Sequence, residues 1–278
     1  MPTEPSRELP IDPDPLAPPR PEVDPGTGRR TDGGREPDLL ALLDRLQREF
    51  AAAVPGTDPD SRVPACGDWR ARELVVHLAG VHHWAAGMAV GDPTRSEDLP
   101  EPDGGAPALA EVYARHAADL RSTLLRAGPD GAARTLVGDG PASFWWRRQV
   151  HETLVHLHDL HAARLGSGPA ALGAVDVEPA VWGDAVDEVV TVFQPRQVRL
   201  GRMAPLRDRV RVMATDLGWS WTLGGPDREP GAPVATVGAT ARGLALLLWG
   251  RLSLGEAGAA VAGDEPAARR VLAAPLVP

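Results

Sequence analysis

Apolar residues recur at Leu39, Leu42, Leu43, Leu46 and Phe50, three and four apart, until PGTDPDS at 55–61 breaks the pattern. That spacing lays one stripe along a helix. Leu74, Leu78, Val81, Ala85 and Met88 mark a second stripe, with Asp68 placed to cap its start. GDPTRSEDLPEPDGGAP then reads as a loop. Leu109, Val112, Tyr113, Leu120 and Leu124 give a third helix, and a fourth is expected from Ser143 to Leu165, where GSGP stops it. Four amphipathic helices of this length make a bundle.

The pattern changes in the second half. After a helix around Pro179 to Phe193, Val210, Val212 and Ala214 alternate with Arg209, Arg211 and Met213, which is strand spacing, and WSWTL and PVATVGA read as further strands. ARGLALLLWGRL is a strongly apolar helix, and AVAGDEPAARRVLAA a short strand, a turn and a last helix. The expected fold class is therefore α+β: a four-helix bundle over 37–166 followed by a smaller α/β domain over 170–278. Residues 1–36 hold many Pro, Gly and charged residues but few large apolar ones, so a disordered tail is expected there. No repeat, P-loop or nucleophile elbow is visible.

Composition narrows the function. With 38 acidic against 29 basic residues the formal net charge is −9, which argues against nucleic acid or an anionic membrane as partner and favours a small molecule. All 29 basic residues are Arg, which reads as the coding bias of a GC-rich genome. Cys66 is the only cysteine, so no intrachain disulfide can form; CGDW offers it no neighbouring base, which makes it a weak nucleophile. The first residues lack a basic and apolar leader pattern, and Leu244 to Trp249 is too short to span a bilayer, so a cytoplasmic protein is expected.

The candidate chemistry lies in ELVVHLAGVHHW and WWRRQVHETLVHLHDL. A helix advances about 100° per residue, so Glu152 and His156 at i and i+4 lie only about 40° apart and can face one ion. His77, projecting about 60° from its apolar stripe, is the histidine of its helix that reaches the interior most easily. Two imidazoles and a carboxylate suit zinc or a similar divalent metal and leave a coordination position open. Each has a plainer reading. His77 can be a hydrogen-bonded histidine at a core edge, and Glu152 with His156 an ordinary pair on a solvated face, since both point away from the Val150, Leu154, Leu157 stripe. His116, His151 and His158 are rival ligands that spacing alone leaves open. Asp159, beyond His156, either orients that imidazole or a nearby Arg, or, as the balance favours, forms a surface salt bridge.

CGDWRARELVVHLAGVHHW followed by WWRRQVHETLVHLHDL resembles the mycothiol-dependent maleylpyruvate isomerase family of the DinB-like superfamily, found in actinobacteria. The resemblance covers residue 38 to the end. It implies a DinB-like metal-binding bundle and, through VRVMATDLGWSWTLG, TVGATARGLALLLWGRLSL and VAGDEPAARRVLAA, a sterol-carrier-protein-like C-terminal domain. It assigns the metal to His77, Glu152 and His156, with Arg148 preceding the Glu. It further implies mycothiol as cofactor: the thiol adds to the activated double bond of maleylpyruvate, rotation follows, and elimination leaves fumarylpyruvate. Dianionic substrates need cations at the site, and Arg148 and Arg251 are the candidates. The expected activity is a cis-trans isomerase or thiol S-transferase on a small electrophile; a metal-dependent hydrolase and a non-catalytic metal- or ligand-binding stress-response protein are the alternatives.

Overall fold

The computed structural model describes residues 38–224 and 232–278. The expected disordered tail at 1–36 lies outside the described residues. Asp38 caps α1 (Leu39–Ala53) by accepting from the Ala41 N–H at 3.0 Å, and Leu43, Leu46 and Phe50 are buried along it. α2 (Ala71–Val90), α3 (Gly105–Ala127) and α4 (Ser143–Leu165) complete a four-helix bundle in which α2 packs on α3 and α4, and α1 on α3 and α4. α2 starts later than expected. Asp68 is exposed and reaches Arg62, while the helix is capped by Glu73, whose carboxylate accepts from the Arg70 N–H at 2.8 Å. A glutamate in the first turn satisfies a free amide, so Asp68 is not needed there.

One element absent from the sequence reading is a hairpin, β1 (Ala132–Thr135) with β2 (Gly138–Pro141), antiparallel, between α3 and α4. AARTLVGDGP has neither apolar alternation nor β-branched enrichment, so nothing in it signals strands.

Beyond α4 the chain forms α5 (Pro179–Glu188), which runs through a π-helical turn at Val189–Phe193 into α6 (Gln194–Arg199). β3 (Val210–Ala214), β4 (Trp219–Leu223), β5 (Ala235–Ala239) and β6 (Ala260–Gly263) make one sheet in the order β4-β3-β5-β6. The β3–β5 pair is parallel and the β3–β4 and β5–β6 pairs antiparallel. Val210, Val212 and Ala214 face the core with Ala235, Val237 and Ala239, as a one-sided sheet requires. α7 (Ala241–Leu248) and α8 (Glu265–Leu272) pack on β3 and β5, and α7 also meets α5. The architecture is α+β with a helical N-terminal part.

α5 decides what α4 can be. α4 packs on α1 and α2 within the bundle and on α5 outside it, so every residue from Arg148 to Leu160 is buried. The plainer reading of Glu152 and His156 as a pair on a solvated face does not hold, because the α+β part encloses that side of α4.

Candidate metal centre and its cavity

His77 on α2 and Glu152 and His156 on α4 converge, with one ligand atom from each within 4.8 Å of the others. His156 Nε2 lies 3.2 Å and His77 Nε2 3.8 Å from Glu152 Oε1, and the two imidazoles meet edge to face at 5.2 Å. Glu152 and His156 are nearly inaccessible, whereas His77 keeps 29 % of its side chain exposed, toward a cavity of about 570 Å³. That cavity is walled by α2, α4, the loop bearing Cys66 and Trp69, Phe193 of the π-helical turn, Arg196, Arg202, Trp249 and Arg251.

A shell of charged partners fixes the three donors. His156 Nδ1 lies 2.9 Å from Asp159 Oδ2, so a proton on Nδ1 turns the Nε2 lone pair toward Glu152 and His77. Asp159 in turn accepts from Arg251 at 3.1 Å from Nε and 2.9 Å from Nη2. Its expected surface salt bridge is thus replaced by a buried contact with both partners, 1 % exposed. Arg148 donates to the second carboxylate oxygen of Glu152 and, at 3.1 Å, to Glu188. Trp69 lies against His77, ring centroids 4.7 Å apart.

Burial sets the charge state of the two imidazoles. Burial, with His156 adding to it, pulls His77 down to about 4, and burial also lowers His156 against the pull of Asp159. Both imidazoles are therefore neutral at pH 7. Burial pushes Asp159 up, but Arg251 and His156 outweigh it and hold the carboxyl well below the usual range. Cys66 also faces the cavity, its thiol 3.6 Å from Asp159 and 3.7 Å from Arg251. Burial and Asp159 push that thiol up to about 12, so it stays protonated despite the neighbouring guanidinium.

The rival histidines are engaged elsewhere. His151 sits 3.0 Å from Asp184 and from Glu188 on α5, His116 meets His83 edge to face at 5.0 Å, and His158 is buried away from the cavity wall. Arg148 and Arg251, the two candidate substrate cations, do line the cavity, but each is bonded to carboxylates of the protein. Glu188, which holds Arg148, has no signal in the sequence, because its partner lies 40 residues away.

Two helices of the bundle thus present a His, Glu, His set that could hold a metal ion to a cavity closed by the α+β part. Residues 39–161 match the family model described as the mycothiol maleylpyruvate isomerase N-terminal domain. The resemblance seen in the sequence to the mycothiol-dependent maleylpyruvate isomerase family thus holds over the bundle. Crystal structures of the mycothiol-dependent maleylpyruvate isomerase and of a single-residue mutant of it each superpose with a TM-score of 0.56 and 14% sequence identity, covering 78% of this chain and 89% of theirs. At that identity the likeness is one of fold. No curated protein matches the chain.

Proposed function

We propose that this chain is a metal-dependent, mycothiol-using enzyme, a cis-trans isomerase or thiol S-transferase acting on a small electrophile. The observation that carries the reading is the convergence of His77, Glu152 and His156 within 4.8 Å at the wall of a cavity, in a bundle of this family. The donor set fits a divalent ion, zinc first: two neutral imidazoles, one carboxylate, an acceptor behind His156 and an open cavity side. Such an ion lowers the pKa of a bound thiol, which makes thiolate available at neutral pH.

The protein's own residues do the positioning. Asp159 fixes the His156 ring, and Arg251 keeps Asp159 ionised so that it accepts rather than donates. Arg148 holds one oxygen of Glu152 and leaves the other toward the imidazoles. Phe193, Trp249, Val81 and Trp84 supply apolar walls that limit water around a reactive thiol. No cysteine of the chain is required, in keeping with the protonated Cys66. We assign the bundle and the α+β part to two domains, 37–166 and 170–278, the latter sterol-carrier-like, and place the protein in the cytoplasm. No helix among the described residues is long and apolar enough to cross a membrane.

Calorimetric titration of the metal-loaded protein with mycothiol tests the reading. Saturable binding that disappears after chelation is expected. Turnover of an ester or amide without thiol would replace it with a hydrolase, and metal loading without thiol binding would leave a non-catalytic metal protein.

A further inference from the structure

The charges around the cavity do not cancel pair by pair. Four arginine side chains line it, Arg148, Arg196, Arg202 and Arg251, against the side-chain carboxylates of Glu97 and Glu152, and Pro278 also stands on its wall. Arg148 is bonded to Glu152 and Glu188, and Arg251 to Asp159. Among the described residues no carboxylate stands within ion-pair distance of Arg196 or Arg202. Among the described residues, two guanidiniums on the cavity wall are thus without an ion-paired carboxylate.

Both come from one anchored turn. Arg196 lies on α6, half-buried, and Arg202 follows Gly201, whose φ of 68° turns the chain back so that the Arg202 N–H bonds the Gln197 carbonyl at 3.0 Å. Gln197 is itself buried and donates to the Val277 carbonyl at 2.7 Å. The π-helical turn at Val189–Phe193 sets the phase with which α6 leaves α5, bringing Phe193 and Arg196 to the same cavity. Such turns concentrate at functional positions. Burial, then Arg202 and Arg199, lowers the Arg196 guanidinium, so like charges are being held together. Glu97, exposed and on the same cavity wall, offsets this in part at Arg196 without reaching ion-pair distance. A cavity wall with two neighbouring cations that form no ion pair among the described residues attracts an anion.

We propose that Arg196 and Arg202 are the specificity-determining end of the cavity and bind a carboxylate of the electrophilic substrate. The inference rests on the thiol-dependent reading and deepens it: the His77, Glu152, His156 end takes the thiol, and the two guanidiniums orient an anionic electrophile toward it. The fork of a guanidinium matches a carboxylate with two parallel hydrogen bonds, which a neutral analogue cannot form.

Maleate, a minimal cis dicarboxylate, and its uncharged dimethyl ester serve as probes in calorimetric titration of the full-length, metal-loaded protein. Maleate is expected to bind and the ester not. The double variant Arg196→Ala/Arg202→Ala is expected to weaken maleate by about tenfold or more, and added salt to weaken wild-type binding. Arg115→Ala, an exposed change on α3 of equal charge, is expected to change nothing. Metal content and mycothiol affinity of the double variant should equal those of wild type, which separates this inference from the thiol reading. If wild type takes up no metal or thiol, that reading fails, and the tenfold loss is still expected in metal-free protein. The variant Arg196→Lys/Arg202→Lys retains the charge and is expected to recover part of the affinity, which loss of packing alone would not allow. Equal maleate affinity in wild type and the alanine variant, or an equal loss in Arg115→Ala, overturns the assignment.

Discussion

His82 and His156 are both buried in the same bundle, and their surroundings differ in kind. His82 is 0% exposed, with Nε2 3.0 Å from the Gln47 amide nitrogen and Nδ1 2.7 Å from Gln149 Oε1. Both ring nitrogens are spent on neutral amides, Tyr113 closes the remaining side at 5.6 Å, and nothing is left for a ligand. His156 spends only Nδ1, on Asp159, and turns Nε2 toward a second imidazole, a carboxylate and a cavity. Burial alone does not make a histidine functional. What distinguishes the site is a free nitrogen with an acid behind it and open space in front of it.

The largest effect that sharpens this contrast is loss of metal. Glu152→Ala and His156→Ala are each expected to lower metal affinity by more than about 100-fold, measured by elemental analysis after dialysis against a competing chelator, with circular dichroism near wild type. His82→Ala should leave metal content alone. If it strips the metal as fully as His156→Ala does, the two clusters are not distinct.

One shell out, Asp159→Asn removes the charge behind His156 and leaves Arg251 without its partner. A drop of about 10- to 100-fold in metal affinity is expected, the usual size for the acceptor behind a metal-bound imidazole. An unchanged affinity would reduce Asp159 to a structural ion pair.

Stability reverses the ranking. His82→Ala opens a cavity and strands Gln47 and Gln149, so about 2–4 kcal/mol of unfolding free energy should be lost in urea titrations. Burial pulls His82 down to about 3 from an ordinary 6.5, opposed by its bond to Gln149. A group with a depressed folded pKa of this basic type stays neutral in the native state while the unfolded chain takes up the proton. Stability is therefore retained above about 6.5 and falls as pH drops from there toward 3, by up to about 1.4 kcal/mol per unit from this one group. His82→Gln, which cannot titrate, should flatten that slope; an identical pH profile would mean that His82 is protonated in the folded protein.

The smallest change is expected at Cys66. Because its thiol is pushed up to about 12, Cys66→Ser should keep metal content and thiol-dependent turnover within about threefold of wild type. Complete loss of turnover with metal retained would make Cys66 a participant.

Much of this was legible in the chain. Helical spacing and the GSGP stop bound α4 at Ser143 and Leu165, and strand alternation finds β3, which buries one face and leaves the other more open. Glu152 and His156 pair by helix geometry alone. The burial of the polar face of α4 is invisible to a stripe analysis, which counts only apolar residues, whereas here arginines, carboxylates and histidines are buried in mutual pairs against α5. Arg147 with Asp184 and Asp187, Arg148 with Glu188, and Arg251 with Asp159 are contacts between segments distant in sequence. The β1–β2 hairpin escaped because its pairing is carried by backbone and tight turn rather than by apolar side chains. Arg196 and Arg202 look like any other of the 29 basic residues until the turn at Gly201 brings them to the cavity.

Crystals grown with zinc and measured on either side of its absorption edge test the central claim most directly. One anomalous peak per chain is expected, with His77 Nε2, His156 Nε2 and a Glu152 oxygen each about 2.0–2.2 Å away. A peak held by other residues, or an empty site between these three at saturating zinc, would contradict it.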